Sequence, residues 1–179
     1  TKNPSAWQAF KWGYGPYLDG LFTQSNFGVV TKMGIWLMPE PPGYKPFMIT
    51  YEREEDLAAI FDAVKPLKVN QVIPNAAVAV DLLWEVSAKT TRRHYFDGKG
   101  PIPDSIRKKI ASDHGLGMWN FYAALYGPPP IIENNWKLVE EAMMSIPGAK
   151  LHLNRDNDPA RDYRVRLMRG EPNMTEFSI

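Results

Sequence analysis

"NFYAALYGPPPIIENNWKLVEEAMMSIPGAKLHLN", residues 120–154, decides the fold class because its hydrophobic period changes twice. Residues 120–127 are an apolar, aromatic run of strand length. The prolines at 128–130 then start a helix whose apolar stripe is Ile132, Trp136, Val139, Met143 and Ile146, and Pro147-Gly148 stops it. Beyond the stop, Leu151 and Leu153 alternate with Lys150, His152 and Asn154, the period of a half-buried strand. The stretch reads strand, helix, strand.

Working towards the N-terminus, a helix runs from Asp104, a plausible N-cap, to Gly115, a plausible C′ residue. Another spans about Ala76 to Ala88. Arg53 to Val64 is a helix with Leu57, Ile60, Phe61 and Val64 on one face. Glu54, Glu55 and Asp56 complement its positive terminus, and Lys65 and Pro66 close it. Phe47 to Tyr51 is a strand. Single-striped helices on one face of an antiparallel sheet make an α+β fold.

"PEPPGYKP", residues 39–46, can continue neither sheet nor helix and marks a boundary, dividing the chain into 1–42 and 43–179. Before it, Phe27 to Met38 contains Val29, Val30, Thr31 and Ile35 and reads as one or two strands buried on both faces. Residues 1–20, rich in Gly, Pro and aromatics, suit an irregular segment. The tail "NRDNDPARDYRVRLMRGEP", residues 154–172, is charged and shows no clear period.

Composition narrows the functional classes. The 179 residues are 44% apolar and 12% aromatic, ample for a core, and 21 basic side chains against 20 acidic leave a charge of +1. No basic run suited to nucleic acid or an anionic membrane appears, nor an apolar stretch long enough for a membrane span. Absence of cysteine removes disulfides, thiolate metal sites and a cysteine nucleophile. The chain starts at Thr1 and stops within "NMTEFSI", as an internal piece of a longer protein would.

His94, His114 and His152 have no partners at metal-ligand spacing. "TTRRHYFDGKG", residues 90–100, reads as a solvated loop, with an anionic group or a partner surface as the alternative. "NMT", residues 173–175, matches the glycosylation triplet with no secretory signal to support it. Walker, GxSxG and GxGxxG motifs are absent. What remains is "GPYLDGLFTQSNFGVVTKMGIWLMP", residues 15–39, with a lone carboxylate, Asp19. Its glycines, with Gly13 before them, would let backbone amides approach a ligand, and "TQSN" at 23–26 adds short polar side chains. Such a loop can hold a phosphate-bearing cofactor without lysine, or it can be a turn that merely packs.

"WQAFKWGYGPYLDGLFTQSNFGVVTKMGIWLMPEPPGYKPFMITYE", "DAVKPLKVNQVIPN", "WNFYAALYGPPP" and "MRGEPNMTEF" together resemble, in order and spacing, the family of vanillyl-alcohol oxidase, eugenol oxidase and 4-cresol dehydrogenase. The resemblance implies the end of an FAD-binding (PCMH-type) domain followed by an antiparallel-sheet cap domain. It implies FAD as cofactor and a small phenolic substrate, oxidised by hydride transfer to flavin N5 through a p-quinone methide. Asp19 matches the family's acidic residue beside N5; the bland reading of this residue is a turn cap. Gly20, Leu21, Ser25, Asn26, Gly28 and Val30 match the segment that embraces FAD.

Ile35 and Trp36, with Met38, leave the flavin towards the substrate pocket, and Trp119 and Tyr122 are cap aromatics; packing competes with a pocket role for each. The resemblance further implies the remainder of the same polypeptide as a partner, a homo-oligomer, and a cytochrome acceptor for a dehydrogenase. The implied compartment is the cytoplasm, or the periplasm for a cytochrome-linked enzyme. None of the three histidines stands in the family's covalent flavin-link motif, and the phenolate-binding Tyr and Arg motifs are not present in this chain. By itself it is expected to expose apolar surface and to hold FAD poorly. A non-catalytic cap-like module and a related flavoenzyme acting on hydroxy acids are the competing readings.

Overall fold

The computed structural model describes residues 19–22, 24–34, 37–153 and 165–171, with only the backbone of Asp19. The chain divides into two compact units, Thr1–Glu40 and Pro41–Ile179.

The second unit is built on an antiparallel sheet. Its strands are β1 (Tyr44–Tyr51), β2 (Val78–Asp81), β3 (Trp119–Tyr126) and β4 (Lys150–Leu153), in the order β2-β3-β1-β4. β1 and β3 pair along their whole length, from Tyr44 opposite Tyr126 to Tyr51 opposite Trp119. β4 joins the far edge of β1 with Phe47 opposite Leu153. The helices are α1 (Leu57–Val69), α2 (Leu82–Ser87), α3 (Arg92–Tyr95), α4 (Asp104–His114) and α5 (Pro129–Met144).

α1 and α5 cover one sheet face. Phe47, Ile49, Tyr51, Phe121, Ala123 and Leu125 alternate along β1 and β3 and meet Ile60 and Leu67 of α1. From α5 come Ile132, Trp136, Val139 and Met143, with Ile146 just beyond it, so the stripe read in the sequence is the stripe that is buried. The Phe47 ring meets the Trp136 indole edge-on at 5.2 Å, a geometry that adds about 0.5–1.5 kcal/mol beyond burial. A satellite cluster of Leu82, Val86, Ile110 and Met118 ties α2 to α4.

Helix ends follow local chemistry. Asp81 accepts from the Leu83 amide at 2.7 Å and the Trp84 amide at 3.3 Å, capping α2. Gly115 ends α4 with φ 61°, a left-handed position suited to glycine. The N-cap of α4 is Pro103, however, and Asp104 is its first helical residue. Pro129 occupies the first turn of α5, where its missing N–H costs no helical bond.

Three expectations are corrected. Residues 76–88 are half strand: Val78–Asp81 pairs with β3, Val78 opposite Tyr122, and only Leu82–Ser87 is helical. The β-branched Val78 and Val80 favour the strand, and sheet pairing outweighs the helical propensity of the alanines around them. Second, Pro66 does not end α1, which runs on to Val69 after a 3-10 turn at Glu54–Asp56. Pro66 is exposed, so water can take the carbonyl it leaves without a donor, while one further turn buries Leu67. Phe61 lies off the stripe and is 59% exposed.

The third correction concerns the first unit. Residues 27–34 and 37–38 form no strand and are exposed: Phe27 by 76%, Val29 by 91% and Leu37 by 77%. An apolar run becomes a buried strand only where neighbours take its hydrogen bonds and cover its faces, and the described residues of this unit supply no such neighbour. Ile35 and Trp36 lie outside the described residues, as does the 173–175 triplet.

Candidate functional site

Asp19–Phe22 is one 3-10 turn, and Gln24 follows with φ 54°, a left-handed conformation held without glycine. The turn brings Ser25 back over its start, where the hydroxyl donates to the Leu21 carbonyl. Gly20, Leu21, Ser25, Asn26, Gly28 and Val30 are all exposed, so the six residues matched to FAD binding stand on one accessible segment. Their surroundings differ. A side chain at Gly20 would meet nothing within 4 Å, whereas one at Gly28 would approach the Phe22 ring to 3.3 Å. Gly28 therefore allows the backbone to lie against Phe22. The carboxylate of Asp19 is outside the described atoms; its backbone opens the turn.

Every described apolar side chain of this segment is exposed, from Leu21 and Phe22 through Phe27, Val29, Val30 and Met33 to Leu37 and Met38. Lys32 and Glu40 are its described charges. Such a run presents apolar area and backbone polar groups to whatever meets it, and its described side chains bring together no convergent charges of the kind a phosphate or metal site uses.

The sheet face opposite α1 and α5 holds the remaining polar chemistry. Glu85 of α2 is buried at 5% exposure and accepts a 3.0 Å bond from the Tyr122 hydroxyl. Thr50 Oγ1 lies 2.9 Å from His152 Nε2 across the β1–β4 pairing. Asn120 is fully buried; it accepts from the Gly117 amide at 3.0 Å and donates to the Gly117 carbonyl at 3.1 Å. A Cβ on Gly117 would fall 2.3 Å from the Tyr51 carbonyl oxygen, so this approach of backbone to backbone requires glycine.

Burial raises the phenol pKa values of Tyr44 and Tyr126, most strongly for Tyr44. These groups tie neighbouring strands and segments together. Trp119 donates from its indole to the Glu54 carbonyl at 2.8 Å, and with Tyr122 bound to Glu85 both aromatics have structural roles. Glu85 escaped the sequence reading because it fell in the supposed continuous helix at 76–88. The alternation of Val78 and Val80 was the signal that could have freed it.

Elsewhere, the histidines serve packing. His114 Nε2 meets the Tyr95 hydroxyl at 3.2 Å, and the His94 ring sits edge-on to Tyr95 at 4.8 Å. The basic loop is organised by Arg92, which donates to the carbonyls of Gly98, at 2.8 Å, and Gly100. Arg107 binds Glu54 and so holds the Glu54 carboxyl below its ordinary pKa. Among the described residues no group of three His, Cys, Asp or Glu could hold a metal ion, and no helix is long and apolar enough to cross a membrane. An open apolar depression of about 340 Å³ between α1 and α5, lined by Leu67, Val72, Leu138 and Ala142, has Glu141 as its only ionisable wall.

No family model matches the chain. It is 45% identical over 98% of its length to the flavoprotein subunit of a hydroxylating 4-cresol dehydrogenase from Pseudomonas putida. It is also 36% identical over 61% of its length to a 1'-carboxy-chondrochloren decarboxylase from Chondromyces crocatus. Among solved structures, p-cresol methylhydroxylase with substrate bound matches 99% of the chain with a TM-score of 0.87 at 45% identity. A 4-ethylphenol oxidase from Gulosibacter chungangensis, in complex with isoeugenol, matches 98% with a TM-score of 0.86 at 31% identity. The chain spans 34% of the dehydrogenase subunit and 35% of each of these structures. From end to end it is thus similar, in sequence and in fold, to one segment of the phenol-oxidising flavoproteins, with the α+β antiparallel sheet of their cap domain.

Proposed function

We propose that this chain is part of an FAD-dependent oxidoreductase that oxidises para-substituted phenols such as 4-alkylphenols, vanillyl alcohol or eugenol. The carrying observation is 45% identity over 98% of the chain to a 4-cresol dehydrogenase flavoprotein subunit. In this reading residues 1–42 are the last piece of the flavin domain and residues 43–179 begin the cap. The remainder of the polypeptide supplies the rest of the site.

The segment from Gly20 to Val30 suits a flavin. Leu21, Phe22, Phe27 and Val30 offer exposed apolar contact to a planar ring, and open space at Gly20 leaves its backbone accessible. Gly20, Leu21, Ser25, Asn26, Gly28 and Val30 would hold the cofactor through backbone groups and the Ser25 hydroxyl. Bound FAD supplies a hydride acceptor at N5. Asp19 takes the role of the carboxylate that stabilises positive character growing on the substrate as hydride leaves the benzylic carbon. It then accepts a proton from the water that adds to the p-quinone methide. Ile35 and Trp36 belong to the pocket wall in this reading.

A homo-oligomer and, for a dehydrogenase, a cytochrome acceptor complete the proposal, with the periplasm as the compartment in that case and the cytoplasm otherwise. The match to a decarboxylase favours a second reading, a flavoenzyme of the same build with different chemistry, but it covers only 61% of the chain at 36% identity. Purification of the full polypeptide tests the choice. Flavin absorbance that bleaches anaerobically with 4-cresol, vanillyl alcohol or eugenol supports phenol oxidation. A colourless protein contradicts the flavin, and bleaching by a hydroxy acid alone moves the chain to the second reading.

A further inference from the structure

The residues matched to FAD binding lie on two arms of chain. Gly20 and Leu21 belong to the 3-10 turn Asp19–Phe22, and Ser25, Asn26, Gly28 and Val30 follow it. Two contacts close the arms on each other. The Ser25 hydroxyl donates to the Leu21 carbonyl, and the Gly28 backbone lies against the Phe22 ring, which a Cβ on Gly28 would approach to 3.3 Å. Extended chain between Phe22 and Gly28 would hold them about 20 Å apart, so the chain turns back between them. Gln24 stands inside both closures, with φ 54° and an exposed side chain. Among the described residues that carry a side chain, Gln24 and Gln71 alone have positive φ, and Gln71 lies just past the end of α1.

We propose that Gln24 is a positioning residue whose left-handed backbone, and not its side-chain amide, sets the two arms side by side for the cofactor. The inference rests on the flavin reading of residues 20–30 and adds to it a residue outside the matched set. Hard-sphere contacts leave only a small left-handed region to residues with a Cβ. Glycine enters it freely, asparagine more readily than most, and alanine at a cost similar to that of glutamine. A β-branched side chain is a steric outlier there, and proline, fixed near φ −65°, cannot adopt it. Residues that refuse the conformation should part Gly20 and Leu21 from Ser25, Asn26 and Gly28, and a cofactor that needs both arms then loses one of them. The chemistry of the substituted side chain is a separate variable, because glycine and alanine remove the amide yet keep the turn.

Titration of the flavin-free full polypeptide with FAD, followed by quenching of flavin fluorescence, tests this without recourse to activity. Gln24→Gly, Gln24→Asn and Gln24→Ala should each bind FAD within about twofold of the parent. Gln24→Val should bind about tenfold more weakly, and Gln24→Pro at least as weakly. Weakening by Gly and Ala as large as that by Val would make the side-chain amide the important group and overturn the inference, whether or not the Val and Pro variants fold. Equal affinity in all five variants overturns it as well. A parent polypeptide that takes up no FAD overturns the flavin reading itself, whereas a parent that binds FAD with no dependence on residue 24 overturns the positioning role alone.

Discussion

Residues 19–40 and residues 41–153 are equally rich in apolar side chains, yet they use them in opposite ways. In the second region Phe47, Ile49, Phe121, Trp136 and Val139 are buried within their own chain. In the first, Phe27, Val29, Met33 and Leu37 are bare. Burial of one such side chain contributes about 1.5–3 kcal/mol, so the sheet unit gains that energy within its own packing while the described residues of the first region leave most of it unused. Apolar residues that are left uncovered on a glycine-rich segment are what contact with a cofactor and further chain would require.

The contrast can be broken at its strongest point first. Phe121→Ala empties the centre of the sheet–helix interface and should destabilise the full polypeptide by about 3–5 kcal/mol in denaturant unfolding. Asn120→Ala leaves the Gly117 amide and carbonyl without their buried partner and should cost about 1–3 kcal/mol. Asp81→Ala removes the cap of α2, with an expected loss of about 1 kcal/mol. Val29→Ser, at a side chain 91% exposed, should change the unfolding free energy by no more than about 0.5 kcal/mol. A large stability loss at Val29 would erase the distinction between the two regions.

The same contrast explains what the sequence could reveal. The stripe from Ile132 to Ile146 was legible because periodicity and burial arise within one helix, and Pro129 and Pro147 bracket it. Residues 76–88 misled because the strand Val78–Asp81 exists only through pairing with β3, some forty positions away. The run at 27–38 misled for a related reason: its pattern predicts a burial that the described residues of its unit do not supply. Residue chemistry in Gly20 to Val30 left a cofactor loop open beside the commoner packing turn, and only the resemblance to a family of flavoenzymes favours the cofactor loop. Glu85 carries no sequence signal apart from the correct placement of β2.

The central claim rests on Asp19, and anaerobic stopped-flow reduction of the bound flavin by 4-cresol reads it directly. The full polypeptide should bleach, and Asp19→Ala should bleach at least about a hundredfold more slowly with flavin content retained. An unchanged reduction rate in the variant would make Asp19 a turn residue and contradict the catalytic role given to it.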